Sequence, residues 1–344
     1  MLIALDAMGG DCAPTINIDG AVDTVNEQNN IDVILVGNEP LIRQQLRKKR
    51  FDPSRITIHH ASQVIEMLDA PSSAIRKKKD SSIRVGIDLV KAGQADAFVS
   101  AGHSGVIMAT SLLLLGKSRG VDRPAIATLM PTLKDPFILL DVGANVDCKP
   151  ENLLQFGLMG NIYCKLVLGR NQPKIALLSI GEEDTKGNEL TKEAFKLLKN
   201  TSLNFIGNVE GKDLFTGKAD VILCDGFIGN IALKVSEGLA EAMLKMLKQE
   251  ITSGSAGRIG YLMLKPAFRN FKKRTDYDEY GGAPLLGING ASIISHGRST
   301  SKAIKNALGV AADYARKRVY EAIATAIEGE LVASSAAPAS SMEH

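Results

Sequence analysis

Residues Leu177–Leu190 contain the pattern that decides the fold, and they read Leu-Leu-Ser-Ile-Gly-Glu-Glu-Asp-Thr-Lys-Gly-Asn-Glu-Leu. An apolar run ends here in a polar loop with two glycines, and a helical pattern begins near Glu189. Lys186 lies in this loop, where a single lysine is more often a solvated surface residue than a binding residue. At least four other apolar runs end in loops rich in Gly, Asn, Ser and Asp. In a parallel sheet such loops emerge at the carboxyl edge, where open α/β folds bind ligands, and we expect all five to meet there.

The length, charge and cysteine content narrow the class of protein. A chain of 344 residues fits one large α/β unit or two lobes. Its net charge of +3 is too small to indicate nucleic acid, and the absence of Trp and of basic stretches with stacking aromatic residues argues against single-strand binding. The cysteines form no Cys-x-x-Cys pair, which favours reduced thiols in a cytoplasm over zinc or disulfides; they are Cys12, Cys148, Cys164 and Cys224.

Neither a targeting segment nor a membrane span is indicated. The N-terminus enters an apolar, strand-like run directly, without the basic region of a signal peptide. No stretch approaches the ~20 apolar residues that a spanning helix needs, so we expect a soluble or peripheral protein. The histidines lack the spacing of metal ligands, and neither a P-loop, a Gly-x-Ser-x-Gly elbow nor a dinucleotide fingerprint occurs. We therefore expect no metal and no cofactor.

Apolar runs alternate with helical patterns along most of the chain, which predicts a largely parallel sheet covered by helices on both faces. The predicted strands are Leu2–Leu5, Val33–Val36, Ile56–His59, Ala97–Ser100, Phe137–Leu140, Lys174–Ser179, Val221–Cys224 and Ala291–His296. Thr300–Ile327 is predicted to be one long terminal helix. We expect one αβα catalytic domain over residues 1–330, with a helical protrusion at 239–274 that faces a membrane or a partner, and a disordered tail at 331–344.

Two basic segments are candidate contact surfaces. Arg76-Lys77-Lys78-Lys79 is a dense positive run, which fits a solvated helix face, a docking patch or an anion site. Arg258–Arg274 holds six Lys or Arg residues and no acid, and Pro266 is expected to split it into two short helical pieces. Such an amphipathic segment can lie in a membrane interface or bind an acidic protein, and it can equally form a lobe or a dimer surface. The residues that we predict to contact a carrier or a membrane are Arg76, Lys77, Lys78, Lys79, Arg258, Lys265, Phe268, Arg269, Phe271 and Lys272.

Residues Gly281–Gly290 (Gly-Gly-Ala-Pro-Leu-Leu-Gly-Ile-Asn-Gly) fit neither a helix nor an ordinary loop. The stretch has too many glycines for a helix and too many apolar residues for a solvated loop. We expect its backbone to pack closely against the sheet or a ligand.

The polar loops carry amides, hydroxyls, glycines and one lysine, which suits anion binding and the stabilisation of developing negative charge. If inorganic phosphate is the nucleophile, it is already largely dianionic near neutral pH, judging from the second pKa of ~6 of a phosphomonoester. If the electrophile is a thioester, its leaving thiol has a pKa of about 8.5. Such a reaction needs neither a strong general base nor a covalent nucleophile, only positioning and an oxyanion site. Lys186 and the carboxamide of Asn230 are suitable donors.

Six segments together resemble the bacterial PlsX phosphate acyltransferases. The matches run in order from residue 4 to about residue 309, and several are long and unusual. The segments are Ala4-Leu-Asp-Ala-Met-Gly-Gly-Asp11, Ser100-Ala-Gly-His-Ser-Gly105, Leu140-Asp-Val-Gly-Ala-Asn-Val-Asp-Cys148, Ile180-Gly-Glu-Glu-Asp-Thr-Lys-Gly187, Cys224-Asp-Gly-Phe-Ile-Gly-Asn230 and Tyr280-Gly-Gly-Ala-Pro-Leu-Leu-Gly-Ile-Asn-Gly290.

The resemblance implies an activity, a fold and a set of partners. The activity is transfer of a fatty acyl group from acyl carrier protein to inorganic phosphate, which gives an acyl phosphate for glycerophospholipid synthesis. The fold is a Rossmann-like αβα sandwich, similar to the isocitrate and isopropylmalate dehydrogenases and the phosphotransacetylases, with a protruding amphipathic helical segment. The resemblance also implies a homodimer in the cytoplasm, attached peripherally to the inner face of the cell membrane, with the downstream glycerol-3-phosphate acyltransferase as a further partner.

Family motifs also indicate the site residues. The catalytic pair maps to Lys186 and Asn230, and phosphate is expected at Ser100–Gly105. In this chain His103 and Ser104 replace the usual Asn and Thr of that loop, which can change its pH dependence. The residues that we predict to bind phosphate or substrate are Asp6, Gly9, Gly10, Ser100, Gly102, His103, Ser104, Asp141, Asn145 and Asp225.

Three alternative functions stay open. A phosphotransacetylase acting on a short acyl-CoA would use the same chemistry, but the basic amphipathic segment argues against it. A membrane-associated scaffold without turnover is another class, and the intact Lys186 and Asn230 weigh against it. A dehydrogenase is disfavoured because no ordered set of metal-binding carboxylates occurs.

Overall fold

A single mixed sheet of 11 strands runs through the computed structural model, which describes residues 1–254, 260–261, 263–269, 271 and 279–336. The spatial order of the strands is β3-β2-β1-β4-β11-β10-β5-β6-β9-β7-β8. The strands are β1 (Leu2–Asp6), β2 (Asp32–Gly37), β3 (Ile56–His60), β4 (Ala97–Ser100), β5 (Ala125–Met130), β6 (Phe137–Leu140), β7 (Ile175–Leu178), β8 (Phe205–Val209), β9 (Val221–Leu223), β10 (Ala283–Leu286) and β11 (Ser292–Ile294).

Helices cover both faces of this sheet. Successive strand residues point to opposite sides, so Ile3 and Leu5 join one buried apolar cluster while Ala4 joins the other. The helices are α1 (Thr15–Glu27), α2 (Glu39–Leu46), α3 (Pro71–Lys77), α4 (Ser82–Lys91), α5 (Ser104–Leu114), α6 (Pro150–Leu166), α7 (Glu189–Lys199), α8 (Gly226–Ile251), α9 (Ser301–Arg316) and α10 (Val319–Ala336). The predicted αβα layering is therefore confirmed.

The two halves of the sheet run in opposite directions. Strands β3, β2, β1, β4 and β11 are mutually parallel, and so are β6, β9, β7 and β8. Between the halves, β10 pairs antiparallel with both β11 and β5, and β5 pairs antiparallel with β6. The carboxyl ends of the two halves consequently lie at opposite edges of the sheet. The expectation that all five polar loops meet at one edge is wrong, because the sequence patterns did not reveal β5 and β10.

The glycine-rich stretch Gly281–Gly290 supplies one of those two strands. A side chain at Gly287, whose φ is +83°, would place its Cβ 2.9 Å from Met159 Cε and 3.0 Å from Val121 Cγ1. At Gly281, with a φ of +78°, a Cβ would lie 2.6 Å from the backbone of Asn306. The predicted close packing of this backbone against the sheet layers is therefore confirmed, and it explains why so many glycines are needed.

Two helical predictions need correction. The terminal helix predicted at Thr300–Ile327 is two helices, α9 and α10, which are separated at Arg318 by a left-handed φ of 49°. The second helix continues to Ala336, beyond the predicted start of the tail, and residues 337–344 lie outside the described residues. Residues 263–269 are helical through Pro266, so this proline does not split them. Arg258 and Lys272 of the basic segment lie outside the described residues.

None of the helices that the structure describes combines sufficient length with an apolar stretch able to span a bilayer.

Candidate active site

The loops after β1 and β4 meet at one edge of the sheet. Asp6 Oδ2 accepts a hydrogen bond of 2.7 Å from Ser100 Oγ, which in turn accepts one of 3.0 Å from the backbone N–H of Gly102. A Cβ at Gly9 would lie 2.7 Å from the backbone nitrogen of Gly102, so the two loops touch. Burial raises the pKa of the Asp6 carboxyl, and its hydrogen bonds with Ser82 and Ser100 oppose the rise. Asp6 therefore holds the two loops together.

This first loop cluster brings together seven predicted binding residues, which are Asp6, Gly9, Gly10, Ser100, Gly102, His103 and Ser104. Helix α5 begins at Ser104, and His103 is its N-cap. The buried Nδ1 of His103 has no hydrogen-bond partner among the described residues. Asn17 was missed by sequence reasoning; its amide nitrogen donates to the carbonyls of Asp6, Ala7 and Gly9 at 2.8–3.2 Å. The assignment of phosphate to this cluster stays a prediction.

Asp141 organises the loop after β6, at the opposite edge. Its Oδ1 accepts hydrogen bonds from the backbone of Ile126 at 3.0 Å and of Ala144 at 3.1 Å. Its Oδ2 accepts from the backbone nitrogen of Asn145 at 2.7 Å and from the Asn145 side chain at 2.9 Å. Burial raises the pKa of the Asp141 carboxyl, while these donors oppose the rise. The carboxylate is thus used inside the loop rather than turned towards a ligand.

The first turn of α8 packs directly on this loop. Asp225 caps the helix by accepting a 2.8 Å hydrogen bond from the backbone of Ile228, and Gly226 donates 2.7 Å to the carbonyl of Asn145. A side chain at Gly226 would collide with Asn145, since its Cβ would lie 2.8 Å from the Asn145 nitrogen. A Cβ at Gly143 would lie 3.7 Å from Asn230 Cγ, which places the Asn230 side chain over the glycine of the same loop.

Lys186 projects from the loop that follows β7. A Cβ at Gly181 would lie 2.7 Å from Lys186 Cγ, so the glycine leaves room for the lysine stem. Neighbouring acids of the loop pair with other lysines, Glu182 with Lys218 and Asp184 with Lys199, both at 3.1 Å. Within the described part of the chain, the Lys186 ammonium and the Asn230 carboxamide make neither a hydrogen bond nor an ion pair, and both side chains are exposed.

Strand pairing places the loops after β6, β9 and β7 side by side; they hold Asn145, lead into the helix that carries Asn230, and hold Lys186. Strand β9 lies between β6 and β7 and runs parallel to both, with Leu223 paired to Leu140 on one side and to Leu177 on the other. Adjacent strands are about 4.8 Å apart. The three loops therefore leave the sheet at one edge, and we call them the second loop cluster. Asp225 belongs to it as the cap of α8.

The residues predicted to contact a carrier or a membrane differ in exposure and in the partners that they have. In the first basic run, Lys78 donates to Asp69 at 2.5 Å, whereas Arg76, Lys77 and Lys79 are exposed. In the second, Lys265, Arg269 and Phe271 are exposed, and Phe268 packs on Tyr261 with 5.2 Å between ring centroids. Their role as contact residues stays a prediction.

A cavity of about 370 Å³ adjoins the second loop cluster, and sequence reasoning missed the residues that make it. Its lining combines apolar, cationic, acidic and amide side chains: Met108, Leu112, Lys117, Asp122, Arg123, Pro124, Ala144 and Asn145. The available signal was a basic residue directly before an apolar run, Arg123-Pro-Ala-Ile-Ala. We call this space the Arg123 cavity.

The two thiols near this edge are poorly suited to act as nucleophiles. Burial raises the pKa of the Cys148 thiol to about 12, with Asp141 and Asp225 adding to the rise and Arg123 opposing it. Burial also raises the pKa of Cys224 well above its usual value. A protonated thiol is a poor nucleophile. Among the residues that the structure describes, no three His, Cys, Asp or Glu side chains are grouped so that they could hold a metal ion.

Comparison with known proteins gives a consistent result. A family model described as "Fatty acid synthesis protein" matches residues 1–322. The chain is 58% identical to a phosphate acyltransferase of Thermodesulfovibrio yellowstonii over 94% of each chain. It is 53% identical to a phosphate acyltransferase of Geobacter sulfurreducens over 97% of this chain and 96% of that protein.

Solved structures of a second group share the fold. A phosphotransacetylase of Streptococcus pyogenes matches with a TM-score of 0.61 and 19% identity, covering 95% of this chain and 94% of that one. The EutD phosphotransacetylase of Staphylococcus aureus matches with a TM-score of 0.59 and 17% identity, over 92% and 94%. At such identities the likeness concerns the fold alone.

Proposed function

Because this chain belongs to the fatty acid synthesis protein family of phosphate acyltransferases, we propose that it transfers a fatty acyl group from acyl carrier protein to inorganic phosphate. The family membership makes the chain an acyltransferase. The acyl donor and the use of the product in glycerophospholipid synthesis are parts of the proposal. We place the reaction at the second loop cluster.

The proposed mechanism needs one nucleophile and two hydrogen-bond donors. A phosphate oxygen attacks the thioester carbonyl, and a carbon–oxygen bond forms while the carbonyl electron pair moves onto oxygen. The Lys186 ammonium and the Asn230 carboxamide donate to this oxyanion. Its collapse breaks the carbon–sulfur bond, and the electron pair leaves on the thiolate of the carrier, which takes a proton from solvent. No protein group has to be acylated or deprotonated.

One observation supports this assignment above the others. Lys186 and Asn230 follow two adjacent parallel strands, β7 and β9, and neither side chain is engaged by another described residue. Donors without internal partners are available to a substrate, and both donors lie in segments that leave the sheet at the same edge. Preorganised donors at the position of developing charge usually contribute more to the rate of acyl transfer than any other group.

The proposal is tested by trapping the product. We would incubate the full chain with palmitoyl-acyl carrier protein and phosphate, and convert any acyl phosphate to a hydroxamate with hydroxylamine. A parallel reaction without phosphate corrects for direct attack of hydroxylamine on the thioester. We expect hydroxamate that depends on phosphate and on the protein. Equal amounts with and without phosphate would reject the acyl transfer and favour a non-catalytic scaffold.

The same assay distinguishes between the two candidate acyl donors. We expect palmitoyl-acyl carrier protein to be used far better than acetyl-CoA, because exposed basic side chains complement an acidic carrier. Arg76, Lys77 and Lys79 on α3 and its end supply such charge. Preference for acetyl-CoA would support the phosphotransacetylase alternative, whose fold this chain shares.

We include a homodimer in the proposal because α8 exposes a long apolar stripe. Ile231, Val235, Leu239 and Met243 follow one another every four residues and are 46–62% exposed. An isolated soluble chain rarely leaves such a stripe uncovered. A second copy of α8 is the occupant that matches it, because an isologous contact pairs the stripe with itself.

We also propose that the helical residues near 263–271 bring the enzyme to the inner face of the cell membrane. Met263 and Phe271 are 78% and 52% exposed, and Lys265 and Arg269 are exposed beside them. Apolar side chains next to cations are the composition of an interfacial helix on anionic lipid. This location would also bring the acyl phosphate to the downstream glycerol-3-phosphate acyltransferase. We expect a smaller fraction of the Phe271→Glu protein to co-sediment with anionic vesicles, because the substitution replaces an apolar side chain with a negative charge.

A further inference from the structure

The second loop cluster offers its phosphate substrate very little positive charge. The side chains that organise it include Asp141 and Asp225, and the donors beside them are amides. Lys186 is assigned to the oxyanion. A phosphate dianion near two carboxylates needs additional cations, since like charges at close range oppose binding. The Ser100–Gly105 loop cannot supply them, because it contains neither Lys nor Arg.

The Arg123 cavity brings two cations to the correct edge. Lys117 and Arg123 both line it, together with Ala144 and Asn145 of the loop that touches Asn230. Asn145 joins the two sides directly, since its amide nitrogen donates a 2.7 Å hydrogen bond to the carbonyl of Pro124. The antiparallel pairing of β5 with β6 produces this arrangement, because it puts the start of one strand next to the end of the other.

The loop that carries the two cations is held rigidly. Ser118 donates from its backbone to Gly287 at 2.9 Å and from its side chain to Ile288 at 2.8 Å. Asp122 also lines the cavity, and its carboxylate is engaged by α6: it accepts a hydrogen bond from Asn152 at 2.8 Å, and the Asp122 backbone donates to Gln155 at 2.8 Å. A pinned loop loses little conformational entropy when its side chains bind a ligand.

The Lys117 ammonium and the Arg123 guanidinium can both still donate hydrogen bonds to a ligand. Lys117 uses one of its three ammonium protons, in a 2.9 Å hydrogen bond to the carbonyl of Asp122. Arg123 is exposed and, among the residues that the structure describes, its guanidinium makes no hydrogen bond or ion pair. A free guanidinium beside an ammonium is suited to two-pronged recognition of phosphate.

The opposite wall of the cavity is apolar, because Met108 and Leu112 of α5 face it one helical turn apart. A cationic rim with an apolar wall matches a ligand whose charged phosphoryl group is joined to a hydrocarbon chain. Both the substrate phosphate and the acyl phosphate product carry the phosphoryl group, and the product carries the chain.

We propose that Arg123 and Lys117 bind the phosphoryl group of the attacking phosphate in the Arg123 cavity, next to Asn145, and that Met108 and Leu112 contact the start of the acyl chain once it is transferred. This inference rests on the proposed function. It assigns phosphate recognition to a loop that none of the sequence motifs contains.

The test compares three variants by kinetics and by binding of inorganic phosphate alone. We expect Arg123→Gln to raise the KM for phosphate about 10–100-fold, the usual effect of losing a charge-assisted hydrogen bond, with a smaller change in kcat. Arg123→Lys should recover part of the affinity for phosphate, because lysine keeps the positive charge but cannot donate the two parallel hydrogen bonds of a guanidinium. Titration of each protein with phosphate, followed by 31P line width, should give the same order without any turnover.

Arg119→Gln is the matched control. Arg119 lies in the same loop but outside the cavity, is exposed and pairs with Glu328 at 3.3 Å, so phosphate binding should not change. Unchanged phosphate KM and line width in Arg123→Gln would overturn the inference while leaving phosphate-dependent acyl transfer intact. Loss of phosphate binding in Arg123→Gln, in a protein without any acyl transfer, would uphold the site and reject the proposed function.

Discussion

The Asp141 carboxylate shows how a single buried side chain fixes the loop beside Asn230. Four donors converge on it, from Ile126, Ala144 and both nitrogens of Asn145. In Asp141→Asn an amide NH2 would face donors, so at least one buried donor loses its partner. We expect unfolding free energy to fall by about 2–3 kcal/mol, measured by urea titration. Asp225→Asn is the control, since asparagine also caps helices and should change stability by less than about 0.5 kcal/mol.

The roles of Lys186 and Asn230 predict a loss of turnover rather than of binding. We expect Lys186→Ala to lower kcat by about 10²–10³, the effect of removing one oxyanion donor, and Asn230→Ala to lower it by a similar factor. The KM for phosphate should change by less than about threefold, because neither side chain is assigned to the bound phosphate. Single-turnover rates with palmitoyl-acyl carrier protein provide the measurement. Near wild-type turnover in either variant would remove that residue from the mechanism.

The cysteines predict a pH-dependent labelling pattern. Burial raises the pKa of both Cys148 and Cys164 to about 12. At pH 8 only about one in 10⁴ of these thiols is a thiolate, and the fraction grows tenfold for each pH unit up to that pKa. Cys12 is exposed. We expect iodoacetamide to label Cys12 first at pH 8, as read by peptide mass spectrometry; equal early labelling of Cys148 would contradict its protected environment.

At the scale of single elements, α8 supports a specific prediction about assembly. Leu239 is 57% exposed on the apolar stripe, so Leu239→Lys should leave the monomer folded while it disrupts a contact between two copies. We expect light scattering at about 10 μM to give half the wild-type mass. Glu241→Lys introduces the same residue about 200° around the helix and should keep the dimer. A wild-type chain that is already monomeric would reject the dimer.

The strands differ in how well local pattern predicts them. The bounds of β4 and β6 are those that the sequence predicts, because a short buried run directly precedes a polar loop. Strand β10 was missed because Pro284 lies inside it and glycines flank it, and proline in a central strand normally argues against that assignment. Its pairing with β5, in which Leu285 lies opposite Ile126, joins residues far apart in the chain, and local pattern does not reveal such a pairing.

The residues of the candidate site also differ in how well local sequence pattern predicts them. Lys186 and Asn230 could be predicted, because each lies in a loop directly after a recognisable strand or in the first turn of the helix that follows it. Arg123 could not, because its proximity to Asn145 depends on the antiparallel pairing of β5 and β6. The first loop cluster was correctly grouped, since Asp6 and Ser100 follow parallel neighbours, but its relation to Lys186 was wrong.

At the scale of the whole molecule, the change of strand direction at β10 and β5 divides the polar loops between two edges of the sheet. The Arg123 cavity lies at the edge of Lys186 and Asn230, whereas α8 extends back to the other half of the sheet, where Lys234 Nζ lies 3.2 Å from Nε2 of His296, a residue that follows β11. Asp11 of the first loop cluster donates from its backbone to the carbonyl of Gly297, next to His296. The change of direction therefore divides the loops between the two edges of the sheet without isolating α8 from the first loop cluster.

The two central strands β10 and β11 are contributed by residues 283–294, yet they lie between β4 and β5, which are made much earlier. While the ribosome is still translating the middle of the message, the nascent polypeptide has two half-sheets whose inner borders carry unpaired amide and carbonyl groups. Such borders readily join those of other molecules. Biosynthesis of this enzyme therefore passes through a stage at which a chaperone that shields β4 and β5 would raise the yield of native protein, and slow translation before residue 283 would lower it.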